Sequence, residues 1–208
     1  MNRIVDPLYR PPEKLRNALQ ESVRYDVLKQ GSGLSKTERI RISEKIAEEA
    51  VEALLASFTG RVVNANTLRI NQPGYDYLVD NNLRLQVKGS SYVETVQFSH
   101  KSGDIAFLAC LGYDVIIIID IGVTLESNFG RLAKYEIPVK DTVDFYIVPL
   151  DEIIVHLPNA IENKAGRYVT WWKRPLNPNT KEYQKQFFKF PEYRNNFRVL
   201  DNLIAKSP

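Results

Sequence analysis

One cysteine, one methionine and two histidines are all that this 208-residue chain has of the softer metal-binding side chains. Cys110, in the apolar stretch Ala106–Leu111, has no internal disulfide partner, and no Cys/His cluster shows zinc-ligand spacing. His100 and His156 are far apart in sequence, so histidine-centred catalysis has little support. A reducing, cytoplasmic location is expected. Long apolar runs are missing as well. The run Val115–Ile119 ends at Asp120, and neither it nor Ile105–Leu111 is nearly long enough to span a bilayer. The N-terminal stretch carries Arg3 and Asp6 and no apolar signal core. A soluble chain with no membrane partner is expected. There is no internal repeat and no low-complexity tract. Lys88-Gly89-Ser90 lacks the preceding glycines of a phosphate-binding loop.

What is present is an ordinary globular composition, 44% hydrophobic, 25% charged and 11% aromatic. The length suits one domain, or one domain with an appendage, and is enough to bury a core without disulfides. The net charge is only +3, but it is unevenly spread. From Lys164 to Pro208 there are ten Lys and Arg against three Asp and Glu. From Asp141 to Asn163 there are five acidic residues and no Lys or Arg. Such polarisation fits a face turned toward a polyanion, and fits a solvated charged surface equally well.

Periodicity divides the chain into elements. Pro11–Gln30 reads as a helix, with prolines in its first turn and Leu15, Leu19 and Val23 recurring every four residues. A second helix is expected from Ser35 to Phe58. It opens on a Ser35/Glu38 capping-box pattern and carries an apolar stripe at Ile46, Ala50, Leu54 and Phe58. Strand patterns follow at Arg61–Ala65, Tyr75–Asp80 and Leu83–Ser90, the last two joined at Asn81-Asn82. Asp104–Leu111 reads as a short helix, Asp114–Ile121 as a strand buried on both faces, and Asp144–Val148 as a strand leading to a short helix near Asp151. The layout predicts an α/β domain over residues 1–163, a mixed sheet flanked by helices. Residues 164–208, crowded with aromatics among Pro, Asn and Lys, predict an irregular basic extension packed on that domain.

In Leu83–Ser90 the side chains alternate, so Gln86 and Lys88 share one face. A lysine in a central strand needs a partner for its ammonium. Asp76 lies at the start of the preceding strand. A two-residue turn at Asn81-Asn82 would pair Asp76 with Val87 and turn it away from Lys88. A three-residue loop, Asn81–Leu83, would pair Asp76 with Lys88, and only an arrangement of this kind, or a bulge, builds a site. A carboxylate and an amide oxygen can hold a hard cation such as Mg²⁺. Such a cation offsets charge on a phosphodiester and acidifies a bound water, while a nearby lysine orients that water or stabilises the anionic transition state. A second carboxylate is wanted, and Glu44, Glu48, Glu49 and Glu52 of the second helix are available.

Gly74-Tyr75-Asp76, Leu85-Gln86-Val87-Lys88, the helix sequence Ala47–Leu55 and the strand Asp144–Pro149 resemble the PD-(D/E)XK nuclease superfamily, in a Gln-X-Lys variant. The resemblance covers roughly Ser35 to Glu152. It implies a restriction-endonuclease-like fold, with Asp76 as the shared metal ligand and Lys88 as the lysine of the strand motif. Gln86 stands where commoner members carry Asp or Glu, and a helix carboxylate compensates. That residue is Glu48 by its spacing to Val51 and Leu55, with Glu49 the alternative. The Val87 carbonyl is a further implied ligand. The cofactor expected is Mg²⁺, with Mn²⁺ an alternative, and the partner is DNA.

DNA contact is expected from Trp172, Lys173 and Arg174 of the aromatic-basic segment and from Lys101, beside His100 in a segment expected to be a loop. The function expected is metal-dependent DNA cleavage, as a type II restriction enzyme acting as a homodimer. A repair, recombination or mobile-element nuclease is the alternative within the class, and an inactive DNA-binding module the alternative outside it.

Overall fold

The computed structural model of the chain describes residues 9–18, 35–57, 60–68, 74–80, 82–90, 95–100, 112–120, 142–156, 161–163, 166–172, 178–179 and 189–206. Residues 13–18 are helical; the rest of the helix expected to Gln30 lies outside the described residues, as do Cys110 and the helix expected at Asp104–Leu111.

Helix α1, Lys36–Ala56, begins where its cap predicts. The Glu38 N–H donates to Ser35 Oγ at 3.2 Å, and the Ser35 N–H donates to the Glu38 carboxylate at 2.8 Å. Two otherwise orphaned backbone donors are thereby satisfied. The helix ends at Ser57, whose hydroxyl donates to the Leu54 carbonyl. Its stripe of Ile46, Ala50, Val51 and Leu54 is fully buried. Each large aliphatic side chain so buried contributes about 2 kcal/mol.

The elements that follow are β1 Val62–Asn64, α2 Ala65–Leu68, β2 Tyr77–Val79, β3 Leu83–Ser90, β4 Thr95–His100, β5 Val115–Asp120, β6 Asp144–Pro149, α3 Leu150–His156, β7 Ile161–Asn163, β8 Gly166–Trp172 and α4 Arg198–Lys206. Five strands form one mixed sheet in the order β1-β2-β3-β5-β6, with β3 and β5 parallel and the other pairs antiparallel. A second, three-stranded sheet has the order β4-β8-β7. The class is α/β, a mixed sheet flanked by helices.

The sheet separates two cores. Leu83 and Leu85 of β3, Ile117 and Ile119 of β5, and Phe145 and Ile147 of β6 pack with α1 and with Leu200 of α4. Ile116, Ile118, Tyr146 and Val148 pack on the other side with Ile153 of α3 and with Phe190. This double covering is why β5 is buried at every position.

Three sequence-based expectations need correction. The β2–β3 connection is neither of the loops considered. Val79 pairs with Leu83, so the loop is Asp80–Asn82. Asp80 takes a left-handed φ of 49°, and its carboxylate accepts the Arg61 N–H at 2.8 Å, which ties the loop to β1. His100 ends strand β4 rather than lying in a loop. The C-terminal segment is not wholly irregular. Its β-prone Tyr168–Trp172 run forms β8, and Leu200, Leu203 and Ile204 give α4 an apolar stripe that enters the first core. The β7–β8 hairpin spans the compositional boundary at Lys164.

Candidate functional site

Gly74, at a φ of 105° open to glycine, turns the chain toward β2. Asp76 follows just outside the strand. Its main chain is held on both sides: its N–H donates to the Leu85 carbonyl and its carbonyl accepts the Ala65 N–H, both at 2.8 Å. The β2–β3 pairing ends at Tyr77 with Leu85, and Asp76, one residue before Tyr77, lies next to Gln86, the residue after Leu85. The observed loop differs from the favourable one by an even number of positions, so the facing that a site requires is kept.

Asp76 Oδ2 accepts the Val87 N–H at 2.7 Å and the Gln86 side-chain amide at 2.5 Å. The same Gln86 nitrogen lies 3.3 Å from the Val87 carbonyl. Asp76, Gln86 and Val87 therefore meet in one contact. Lys88 lies two residues along β3 on the face shared with Gln86, because Val87 between them packs into the α1 core. Lys88 is half-buried, and no side-chain hydrogen bond or ion pair joins it to another described residue.

Glu48 stands apart from this contact. It is exposed on α1, the helix covering the opposite face of the sheet. Its link to Asp76 runs through Tyr77. Burial pushes the Tyr77 phenol up to about 12, with the charges of Glu52, Asp76 and Glu48 adding to the effect in that order. Glu48 and Glu52 are one helical turn apart, so both carboxylates share the surroundings of Tyr77 with Asp76. Glu49 is engaged elsewhere: it accepts the Tyr9 hydroxyl and lies 3.9 Å from Lys45. Glu44 is exposed.

The donor set is oxygen-rich, as a hard cation requires, but sparse in charge. No group of three or more His, Cys, Asp or Glu among the described residues is arranged to hold a metal ion.

Two features escaped sequence reasoning. Arg84 and Asp114 lock the base of β3 to β5. Arg84 donates to the Asp114 carboxylate from its main chain and from Nη2 at 2.8 Å, and from Nε at 3.1 Å. Farther along the site face, Ser90, Asp120 and Asp144 stand in register across β3, β5 and β6, all buried. Asp144 is held by Arg194 at 2.9 Å and by the Asn195 amide at 2.8 Å. The available signal was an aspartate closing the otherwise apolar strand Val115–Asp120.

Of the residues expected to contact DNA, Lys101, Lys173 and Arg174 lie outside the described residues. Trp172 ends β8, paired with Thr95. The charge polarisation has a partly internal cause: Arg194 pairs with Asp144, and Lys189 lies 3.6 Å from Glu152. Two cations of the basic segment thus face carboxylates of the acid-rich one. No helix among the described residues is long and apolar enough to cross a membrane.

No family model matches the chain, and no curated protein or solved structure gives a significant match.

Proposed function

We propose that this chain is a metal-dependent DNA endonuclease with a restriction-endonuclease-like fold. The observation that carries the reading is the three-residue contact of Asp76, Gln86 and Val87, with Lys88 on the same face of β3. It assembles a carboxylate, an amide and a carbonyl on the strand face that carries a lysine with no hydrogen-bond or ion-pair partner among the described residues.

In this reading Asp76, the Val87 carbonyl and the Gln86 amide oxygen would hold Mg²⁺ or Mn²⁺. Glu48, which stands outside that contact but shares the surroundings of Tyr77 with Asp76, would supply the second negative charge only by turning toward the site. Such a cation neutralises charge on the scissile phosphate and supplies an acidified water. The Lys88 ammonium donates to the attacking water or to the phosphate oxygens as negative charge builds on them. The rigid setting of Asp76, bonded through its main chain on both sides, keeps these groups in position before substrate arrives. Lys101, Trp172, Lys173 and Arg174 contact the DNA. A homodimer would place one site on each strand of a two-fold symmetric target. Type II restriction is the role favoured; repair, recombination or a mobile element would use the same chemistry.

A second reading has its own support. The amide nitrogen of Gln86, rather than a second carboxylate, faces Asp76. A DNA-binding module that retains the fold without catalysis would also have this arrangement. Incubation with a panel of plasmid and phage DNAs, with Mg²⁺ or with EDTA, separates the two. The nuclease reading expects Mg²⁺-dependent cleavage. DNA binding without cleavage on any substrate of the panel would support the second.

A further inference from the structure

The Gln86 side chain is not oriented as a metal ligand. Its Nε2 faces two oxygens, Asp76 Oδ2 at 2.5 Å and the Val87 carbonyl at 3.3 Å. An ionised carboxylate and a carbonyl can only accept hydrogen bonds, so chemistry requires the NH₂ end of the amide to face them. A carboxylate and a carbonyl converging on one point make a setting for a hard cation. Here that point is filled by the positive end of an amide dipole.

We propose that Gln86 is a built-in stand-in for the cation, and that cation uptake requires its amide to turn over. The inference rests on the metal-dependent reading of the site. A half-turn about the terminal side-chain torsion, which has two broad wells, exchanges Nε2 for Oε1. The turn withdraws two N–H donors from Asp76 and Val87 and offers a third oxygen to the same point. It breaks two hydrogen bonds, so the competent rotamer is a minor state in the metal-free chain. Apparent cation affinity falls in proportion to that population. The Gln-X-Lys pattern then sets when the cation is held: weakly by the free protein, and firmly once substrate phosphate adds its own oxygens.

The test uses the full chain and its Gln86→Glu and Asp76→Asn variants, with Mg²⁺ as the probe. Side-chain amide resonances of ¹⁵N-labelled protein are followed during titration, and those of Gln86 are identified by their loss in Q86E. Binding is measured by calorimetry, and thermal midpoints are taken in EDTA and in Mg²⁺. The wild-type Gln86 amide protons are expected to move upfield as their hydrogen bonds break, with the same midpoint as calorimetric binding. Q86E places two carboxylates in contact, so it should melt below wild type in EDTA. In Mg²⁺ it should regain that loss, and it should bind Mg²⁺ about tenfold more tightly or better.

Mg²⁺ binding that is lost in D76N, but leaves the Gln86 amide protons unmoved and is no tighter in Q86E, overturns the proposal alone. Absence of any Asp76-dependent Mg²⁺ binding, with or without DNA, overturns the metal reading and the proposal together. The wild-type resonances decide the question even if Q86E does not fold in EDTA.

Discussion

The main-chain N–H of Val87 donates to Asp76 Oδ2 at 2.7 Å. The carboxylate proposed to hold a cation therefore also fastens the strand that carries Gln86 and Lys88. Asp76→Ala strands a part-buried N–H, a loss of about 1–3 kcal/mol. Asp76→Asn keeps an oxygen for that N–H and removes the charge. Both variants are expected to lose Mg²⁺-dependent cleavage, while only the alanine variant unfolds at clearly lower urea. Equal urea midpoints for D76A and wild type would show that the bond contributes nothing to stability.

Lys88 gives the opposite pattern. Its side chain joins no other described residue, so its removal leaves no partner among them uncompensated. Lys88→Ala should cut cleavage at saturating DNA on the order of 10²–10³-fold or more, as the loss of a transition-state donor does. Its urea midpoint should stay near that of wild type. Full cleavage by K88A would remove Lys88 from the chemistry.

The parts of this arrangement that could be read from the sequence are those set by local rules. The Ser35/Glu38 box fixes the start of α1 to the residue. The apolar run Val115–Ile119 announces a strand covered on both sides. The face shared by Gln86 and Lys88 follows from the pleat alone. What was not legible depends on long-range pairing. The β2–β3 register hangs on Asp80, whose left-handed turn is stabilised by Arg61, 19 positions away. Strands β4 and β8 find each other across the chain; Thr95–His100 does alternate polar and apolar residues, a signal that was available, whereas Gly166–Trp172 shows no such alternation. Glu48, Glu49 and Glu52 look alike in sequence. Only the folded chain gives Glu49 to Tyr9 and sets Glu48 and Glu52 near Tyr77.

The Arg84–Asp114 lock predicts an acid limb of stability. Burial alone would raise the Asp114 carboxyl, but the hydrogen bonds and charge of Arg84 outweigh it and hold the group below its ordinary 3.8. A carboxylate with a lower pKa folded than unfolded contributes stability above its unfolded value. That contribution fades as pH falls from 3.8 through the lowered folded value. Arg84 is 42% exposed, so solvent screening keeps the contribution to about 1 kcal/mol. Asp114→Asn should lower the urea midpoint at neutral pH and flatten its decline in acid. Parallel wild-type and D114N curves from pH 6 downward would show that Asp114 does not titrate with folding.

The basic C-terminal segment supplies the last prediction. Its ten Lys and Arg are fewer in effect than in number, because Arg194 and Lys189 face Asp144 and Glu152. Those pairs hold the segment to the α/β body, and their charge is largely cancelled at any distance from it. Attraction to phosphate must then come from the remaining cations, among which Lys173-Arg174 follows directly on the β8 tryptophans. Each phosphate neutralised releases condensed counterions, so affinity falls with salt in proportion to the contacts made. Replacing Lys173 and Arg174 with alanine should weaken DNA binding and reduce the slope of log affinity against log salt by about 2. Arg194→Ala should leave that slope unchanged and lower stability instead, since its guanidinium is engaged with Asp144. Cleavage at saturating DNA should persist in the double variant, because neither residue belongs to the Asp76 contact. Loss of sequence fidelity along with affinity would mean that the pair reads bases as well as phosphates. An unchanged slope would place Lys173 and Arg174 away from DNA and leave the segment's charge as the solvated counterpart of its aromatic packing.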